Sequence, residues 1–198
     1  SWPSYKYQGV KNLMPVTING NGSITGLSVG GLGSGVVNTT TLADGAVAGT
    51  KLGSGSVIQV KQAESSSQIS QSSSTDFDIV TVSLTPTAVG NKIFVFGCVM
   101  GIQNGSGDNN TRFLCRVVRD STNLMNSDAN HWLQSTTTVL RHGGFSINYI
   151  DTAPSTNATT YKLVGYWTDT SSQNCFVNKD SNSGSSTITV MEVKAWVT

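Results

Sequence analysis

Two histidines, His131 and His142, and a scattered set of aspartates are the residues of this chain that could do chemistry. A histidine between a serine and an aspartate would serve acyl transfer, and two placed carboxylates would serve glycoside hydrolysis. The sequence contains no motif for either arrangement. No G-x-S-x-G segment is present. The aspartates lie mostly beside Gly-, Ser- and Asn-rich turns, where the formation of Asx turns explains their presence. The sequence therefore predicts a protein that is not an enzyme, with no catalytic residue, no metal site and no cofactor.

Carbohydrate binding is the other chemistry that the residue types suggest. Asn130, His131 and Trp132 follow the polar loop RDSTNLMNSDA, residues 119–129. The indole ring could stack on the apolar face of a sugar while the Asn and His side chains hydrogen-bond its hydroxyl groups. In the competing interpretation, the Trp132 ring packs beneath its own loop. The position of Trp132 beside a loop favours this second interpretation. The three residues are a candidate contact for a surface glycan.

The low charge of the chain restricts its partners. Charged residues are 12% of the 198 residues, and the net charge is +1, whereas nucleic acids and anionic membranes are bound through clustered Lys and Arg. No apolar stretch is long enough to span a bilayer as a helix. We predict no nucleic-acid partner and no membrane insertion.

Three cysteines, Cys98, Cys115 and Cys175, lie in apolar runs. Their odd count does not suit a disulfide framework, and their spacings match no metal-site pattern. The pattern predicts three unpaired thiols in the core of a protein made in the cytosol.

The elements that must position these side chains are β-strands. Residues 58–198 alternate apolar and polar residues at period two and are rich in Val, Ile, Thr and aromatics. The segment NKIFVFGCVMG, residues 91–101, is apolar on both faces, which predicts a central strand buried on both sides. Phe145, Ile147 and Tyr149 share one face of a later strand, and Trp167 is expected in the core or at a subunit interface. About eight or nine strands separated by turn-forming segments predict an all-β domain, a β-sandwich of jelly-roll-like type.

Residues 1–57 have a different composition, with 12 of the 21 glycines, and contain a ten-residue repeat. Leu and Val return at equivalent positions of the repeat: Leu32, Val37, Leu42, Val47, Leu52 and Val57. Isolated apolar residues cannot offset ordering entropy within one chain, but three parallel chains can place them on a shared axis. The sequence thus predicts an extended Gly-rich arm with a short stalk that forms a homotrimer. A flexible linker is the competing interpretation.

Four segments of the chain resemble segments of a known protein family. They are RDST at 119–122, the stretch from Asp151 to Lys162, the terminal strand TITVMEV at 187–193, and LADGAVAGTKL at 42–52. The first three resemble a β-rich module of virion proteins from tailed bacteriophages, especially marine and cyanobacterial phages. The last is similar to the DGAV-type repeats that form stalks in phage fibres. The resemblance covers most of residues 55–197.

The resemblance implies a homotrimer in the virion, assembled in the host cytoplasm, with its N-terminal part on the particle and its C-terminal knob exposed. We expect Trp2, Tyr5 and Tyr7 to anchor the arm on another virion protein of the capsid or tail; packing against its own trimer is the alternative. The knob would bind a receptor on the host surface, and the candidate receptor is a surface glycan. Because the stalk is short for a tail fibre, a capsid decoration (head-fibre) protein that stabilises the shell is the alternative function.

Overall fold

The computed structural model describes residues 17–18, 24–25, 45–104, 112–125, 142–168, 175–179 and 184–195. The chain divides into two compact units, Ser1–Ala48 and Gly49–Thr198. In the first unit, strands β1 (Thr17–Ile18) and β2 (Ile24–Thr25) pair antiparallel. The second unit, called the knob below, begins with a 3-10 turn at Gly49–Lys51.

The knob consists of two antiparallel sheets. One contains β5 (Phe77–Leu84), β7 (Arg112–Arg119), β8 (Thr122–Asn123) and β10 (Thr159–Thr168) in the order β5-β10-β7-β8. The other contains β3 (Val57–Ser65), β4 (Ile69–Gln71), β6 (Lys92–Gln103), β9 (His142–Thr152), β11 (Cys175–Val177) and β12 (Ser186–Val193). Its order is β3-β12-β6-β11-β4, and β9 also pairs with β6. The predicted all-β fold with two sheets, as in a β-sandwich, is confirmed.

The core lies between the two sheets and takes side chains from both. Phe113 and Trp167 come from the four-stranded sheet, and their ring centroids are 4.9 Å apart. Val95 and Ile188 from the six-stranded sheet are fully buried in the same cluster. Alternation at period two places these residues inward, and the core assignment of Trp167 is confirmed.

The prediction for NKIFVFGCVMG is right for one face of the strand only. β6 pairs with β12 on one side and β9 on the other, so it is central. Its inward residues are buried, but Phe94 is only half-buried and Phe96 is 43% exposed. A sandwich of two layers has one interior, and the described residues place no further layer on the outer face of this strand.

The cysteines follow the same division. Cys115 and Cys175 are buried, whereas Cys98 lies half-buried on the outer face of β6, which corrects its assignment to the core. The three residues, all within the described ranges, form no disulfide with one another.

Residues 49–56, which the sequence places in the stalk, are hydrogen-bonded to the end of the last strand. The Gly55 N–H donates to the Lys194 carbonyl over 2.9 Å, and the Lys194 N–H donates to the Ser56 carbonyl over 2.9 Å. The Lys194 ammonium donates to the Leu52 carbonyl. These bonds join the segment before β3 to the chain that follows β12.

Substitution of Gly97 tests how closely the two sheets approach. A Cβ at this position would lie 2.5 Å from Ile147 Cγ2 and 2.8 Å from the Leu163 methyl groups. Since overpacking a core costs about 1–3 kcal/mol, Gly97→Ala should lower the free energy of unfolding by that amount in urea titrations. Gly53→Ala is the control, because a Cβ there has no neighbour within 4 Å. Equal effects of the two substitutions would contradict the packing described.

Candidate functional site

Two of the segments that resemble the phage module meet in one buried cluster. Arg119 Nη1 donates to both carboxylate oxygens of Asp151 over 2.8 Å, and the Tyr161 hydroxyl donates to Asp151 Oδ2 over 2.9 Å. Asp151 belongs to the six-stranded sheet, while Arg119 and Tyr161 belong to the four-stranded sheet. This Asp151 cluster therefore ties the two sheets together.

The turn after Arg119 is fixed to the start of β10. Asp120 has a φ of 52°, in the left-handed region that Asp tolerates better than most residues. Its N–H donates to the Thr160 carbonyl over 2.8 Å, and its Oδ1 accepts the Thr160 N–H over 2.9 Å. The RDST segment thus serves as a turn that holds two neighbouring strands in register.

Asp151 is not a turn residue, which corrects its sequence assignment. It is buried within β9, and its carboxylate is occupied by a cation and a phenol. Burial and the hydrogen bond to Asp151 raise the pKa of Tyr161 well above its usual value, so the phenol stays protonated as a donor. The Asp151 carboxylate thus holds Arg119 and Tyr161 together across the interior.

The third segment, TITVMEV, brings a second buried carboxylate into the knob. Glu192 Oε1 accepts the Thr87 N–H over 2.8 Å, the Thr87 hydroxyl over 2.9 Å and Asn91 Nδ2 over 2.6 Å. Its Oε2 accepts Gln59 Nε2 over 2.6 Å, and the same amide donates to the Thr85 carbonyl. This Glu192 cluster joins β12 to β3 and to the connection between β5 and β6.

The charge of Glu192 is held by neutral donors. Burial raises the pKa of its carboxyl, but hydrogen bonds from Asn91, Gln59 and Thr87 outweigh burial and leave the pKa below its usual value. Three ion pairs form among the described residues, and Glu192 is in none of them. The carboxylate is therefore charged at neutral pH and depends on its four hydrogen bonds.

The two buried carboxylates lie in one inward-facing row of the six-stranded sheet. Glu192 pairs with Ile93, and Ile93 pairs with Asp151 on the next strand. Directly paired residues of antiparallel strands share a face. One end of the sandwich interior thus contains both carboxylates, separated by an apolar residue.

The thiol of Cys115 is buried in the core. Burial raises the pKa of the Cys115 thiol to about 12, so it is not a thiolate at neutral pH. Across the described ranges, no group of three or more His, Cys, Asp or Glu residues is placed to hold a metal ion.

The outer faces of the two sheets differ in their chemistry. The four-stranded sheet has ion pairs between Arg116 and Asp76 and between Lys162 and Asp78, each with a partly exposed carboxylate. The Ser83 and Thr160 hydroxyl groups on this sheet also interact. Paired charges and hydroxyls are typical of a face that meets water.

An apolar row crosses the outer face of the six-stranded sheet. Its members, on β3, β12, β6 and β9 in that order, are Val60, Met191, Phe94 and Ile150. Val60 is 53% exposed and Ile150 is 55% exposed. Phe96, two residues along β6, stacks near Phe94 with ring centroids 6.3 Å apart. We call the four residues that cross the sheet, Val60, Met191, Phe94 and Ile150, the apolar row.

A recess of about 200 Å³ lies beside the Glu192 cluster. It is lined by Gly49, Ile58, Thr87, Ala88, Asn91 and Lys194. The polar groups of Thr87 and Asn91 point to Glu192, and the Lys194 ammonium contacts the Leu52 carbonyl. Because these polar groups are engaged elsewhere, the surface that faces the recess is mainly apolar.

Three of the residues singled out in the repeat lie in the described part of the chain. Val47 and Val57 are about half exposed, and Leu52 is half-buried. The other predicted residues lie outside the described ranges: Leu32, Val37 and Leu42 of the stalk, Trp2, Tyr5 and Tyr7 of the arm, and Asn130, His131 and Trp132 of the candidate glycan contact. Their roles remain predictions.

Sequence reasoning missed the two carboxylates, although the pattern contains a signal for both. Ile188 and Val190 are buried at period two, and Glu192 is the next residue in that series. Asp151 continues the series of Ile147 and Tyr149 in the same way. An acid at a position where alternation calls for an apolar residue indicates a buried, partnered carboxylate.

No protein-family model and no curated protein matches the chain. Among solved structures, the crystal structure of the infectious bursal disease virus VP2 subviral particle is similar over 69% of this chain and 38% of that chain, with 12% sequence identity and a TM-score of 0.34. A likeness at this TM-score carries no argument about function. None of the helices formed by the described residues is long and apolar enough to cross a membrane.

Glu192→Gln should destabilise the knob in a pH-dependent way. An amide cannot accept all the bonds that the carboxylate accepts, so we expect a loss of about 1–3 kcal/mol of unfolding free energy at pH 7. Because the folded pKa is lowered, the carboxylate stabilises the fold above its ordinary pKa of 4.5 and loses this contribution as the pH falls through the folded value. Urea unfolding at pH 7 and pH 3 should therefore show a smaller penalty at pH 3. Glu64→Gln, at an exposed position of β3, is the control, and an equal penalty for Glu192→Gln at both pH values would contradict this role.

Tyr161→Phe tests the Asp151 cluster. It removes one hydrogen bond to a buried carboxylate, which should cost about 1.5–3 kcal/mol of unfolding free energy. Tyr166→Phe, on the same strand and half-buried, is the matched control. If both variants unfold at the same urea concentration as the parent, the cluster does not hold the sheets together.

Proposed function

We propose that this chain is a structural protein of a bacteriophage virion, a homotrimeric fibre-like appendage without enzymatic activity. Its jelly-roll-like knob is exposed for binding a receptor on the host surface. The N-terminal arm attaches it to another virion protein through Trp2, Tyr5 and Tyr7.

The observation that carries the proposal is the convergence of segments that are distant in sequence. The RDST segment and the segment beginning at Asp151 meet in the Asp151 cluster, and the terminal strand supplies Glu192 to the same end of the interior. These are the segments that resemble the phage module: in the fold Arg119 bonds to Asp151, and Glu192 lies in the same inward-facing row as Asp151. This supports a module whose characteristic residues serve its shape, as a structural or adhesive protein requires.

The receptor in this proposal is a host-surface glycan. Its contact is assigned to Asn130, His131 and Trp132, on the sequence argument that an aromatic ring flanked by polar side chains suits a sugar.

Capsid decoration is the second candidate function, and the hydrogen bonds between residues 49–56 and the chain after β12 favour it. Hydrogen bonds from Gly55 and to Ser56 tie this segment to Lys194. The last repeat, from Leu52 to Val57, therefore belongs to the same unit as the sandwich. A protein that clamps a shell needs no long shaft, whereas a fibre that reaches a host does.

Deletion of residues 1–11 should abolish incorporation into particles and leave the knob folded, since the aromatic anchors are then lost. Full-length and deleted chains would be supplied in infected cells and quantified by mass spectrometry of purified particles, with circular dichroism as the check on folding. Lys6→Ala, within the arm, is the control and should be incorporated. Incorporation of the deleted chain would contradict the role of the arm, and absence of the full-length chain from particles would contradict the virion function.

A further inference from the structure

We propose that the apolar row is the surface through which copies of this chain pack against one another, so that the knobs as well as the stalk form the homotrimer. The inference rests on the proposed homotrimer and adds the knob surface that holds it together.

The outer face of the six-stranded sheet is unlike a solvent-exposed face. In the row that crosses four strands, every side chain is apolar, and Val60 and Ile150 at its two ends are more than half exposed. Four strands spaced about 4.8 Å apart give the row a width of roughly 15 Å. A contiguous apolar area of this kind on a folded chain marks an interaction site.

The sequence pattern of β6 leads to the same conclusion. A strand that is apolar on both faces is typical of one buried on both faces. The inward face packs in the core, and the outward face presents Phe94 and Phe96. The part of the chain that the structure describes places no second layer on this face, and in this proposal a second copy of the chain supplies it.

The lack of charged residues in the apolar row favours a second copy of this chain as its partner. The neighbouring row on one side contains Lys92, whose ammonium donates to the Thr152 hydroxyl over 2.8 Å. The apolar row itself and the neighbouring row on its other side, formed by Gln62, Thr189, Phe96 and Asn148, contain no charged residue. Identical copies can therefore meet along both rows without like-charge repulsion. The hydroxyl and amide groups of the neighbouring row supply the polar rim that surrounds the apolar centre of a protein interface.

The predicted stalk and the row are only a few residues apart along the chain. Val57 is the last residue of the ten-residue repeat and the first residue of β3. Val60 follows three residues later, about 10 Å along the strand. If the repeat packs on equivalent residues of two other chains, β3 brings the row to the same axis, where rotational symmetry lets three copies bury the same face.

The first test introduces charge into the row of the full-length chain. Val60→Lys combined with Ile150→Lys should lower the association constant of the trimer at least about 100-fold, because unpaired charges would be buried between copies. Sedimentation velocity over a dilution series measures this, and the melting curve checks the fold. Val89→Lys is the matched control, because Val89 is 65% exposed in the connection between β5 and β6. It should leave the association unchanged.

The second test measures directly whether the outer face of the six-stranded sheet is accessible to solvent. Full-length Ile150→Cys and Val89→Cys variants would be alkylated in the native state and in urea, with peptide mass spectrometry reading each site apart from the native cysteines. The native protein should protect the Ile150→Cys site at least about tenfold more than the Val89→Cys site.

Each outcome has a defined meaning. Equal alkylation at the two sites would overturn the inference, because the face would be open. Slow alkylation of the Ile150→Cys site together with unchanged association of the double Lys variant would also overturn the inference. In that case the chain's own residues would cover the face. If the parent chain remains trimeric in either case, the proposed function stands; a parent that is monomeric at all concentrations would overturn both.

Discussion

The buried charge of Glu192 constrains the end of the knob at which β3 begins. Its carboxylate is satisfied by neutral donors from Gln59, Thr87 and Asn91, which come from β3 and from the connection before β6. Because a buried charge that loses a donor is costly, these segments have little freedom to move apart. Asn91 also accepts the Ala195 N–H over 3.0 Å, which extends the constraint beyond β12. The first and last strands of the sandwich are thereby held beside each other.

The Asp151 cluster performs the complementary task between the sheets. Glu192 joins segments around one sheet, whereas Arg119 and Tyr161 reach across the interior to Asp151. Asp151 and Glu192, the buried carboxylates of the described residues, are both committed to these bonds. On their outer faces the two sheets present opposite characters, ion pairs on one and an apolar row on the other. This division suits a protein that works by assembling with other chains.

Strands were the part of the fold that could be predicted, because period-two alternation is a local property. The inward series of Ile147 and the burial of Trp167 were visible in this way. The partners of Asp151 and Glu192 were not visible, since they lie 10 to 133 residues away in the chain and are brought close only by strand pairing. The exposed outer face of β6 was also mispredicted, because a local pattern indicates that a face is covered and cannot say whether the cover belongs to the same chain. The arm and the candidate glycan contact lie outside the described residues, and the stalk is predicted to form only between copies of the chain, so all three stay predictions.

The most direct measurement of the central claim is the copy number of this chain relative to the major capsid protein, by quantitative mass spectrometry of purified particles. A homotrimeric virion protein should be present at a copy number divisible by three. A minor ratio would correspond to a fibre-like appendage, and a ratio near that of the capsid protein would correspond to decoration of the shell. Absence of the chain from purified particles would contradict the assignment to the virion.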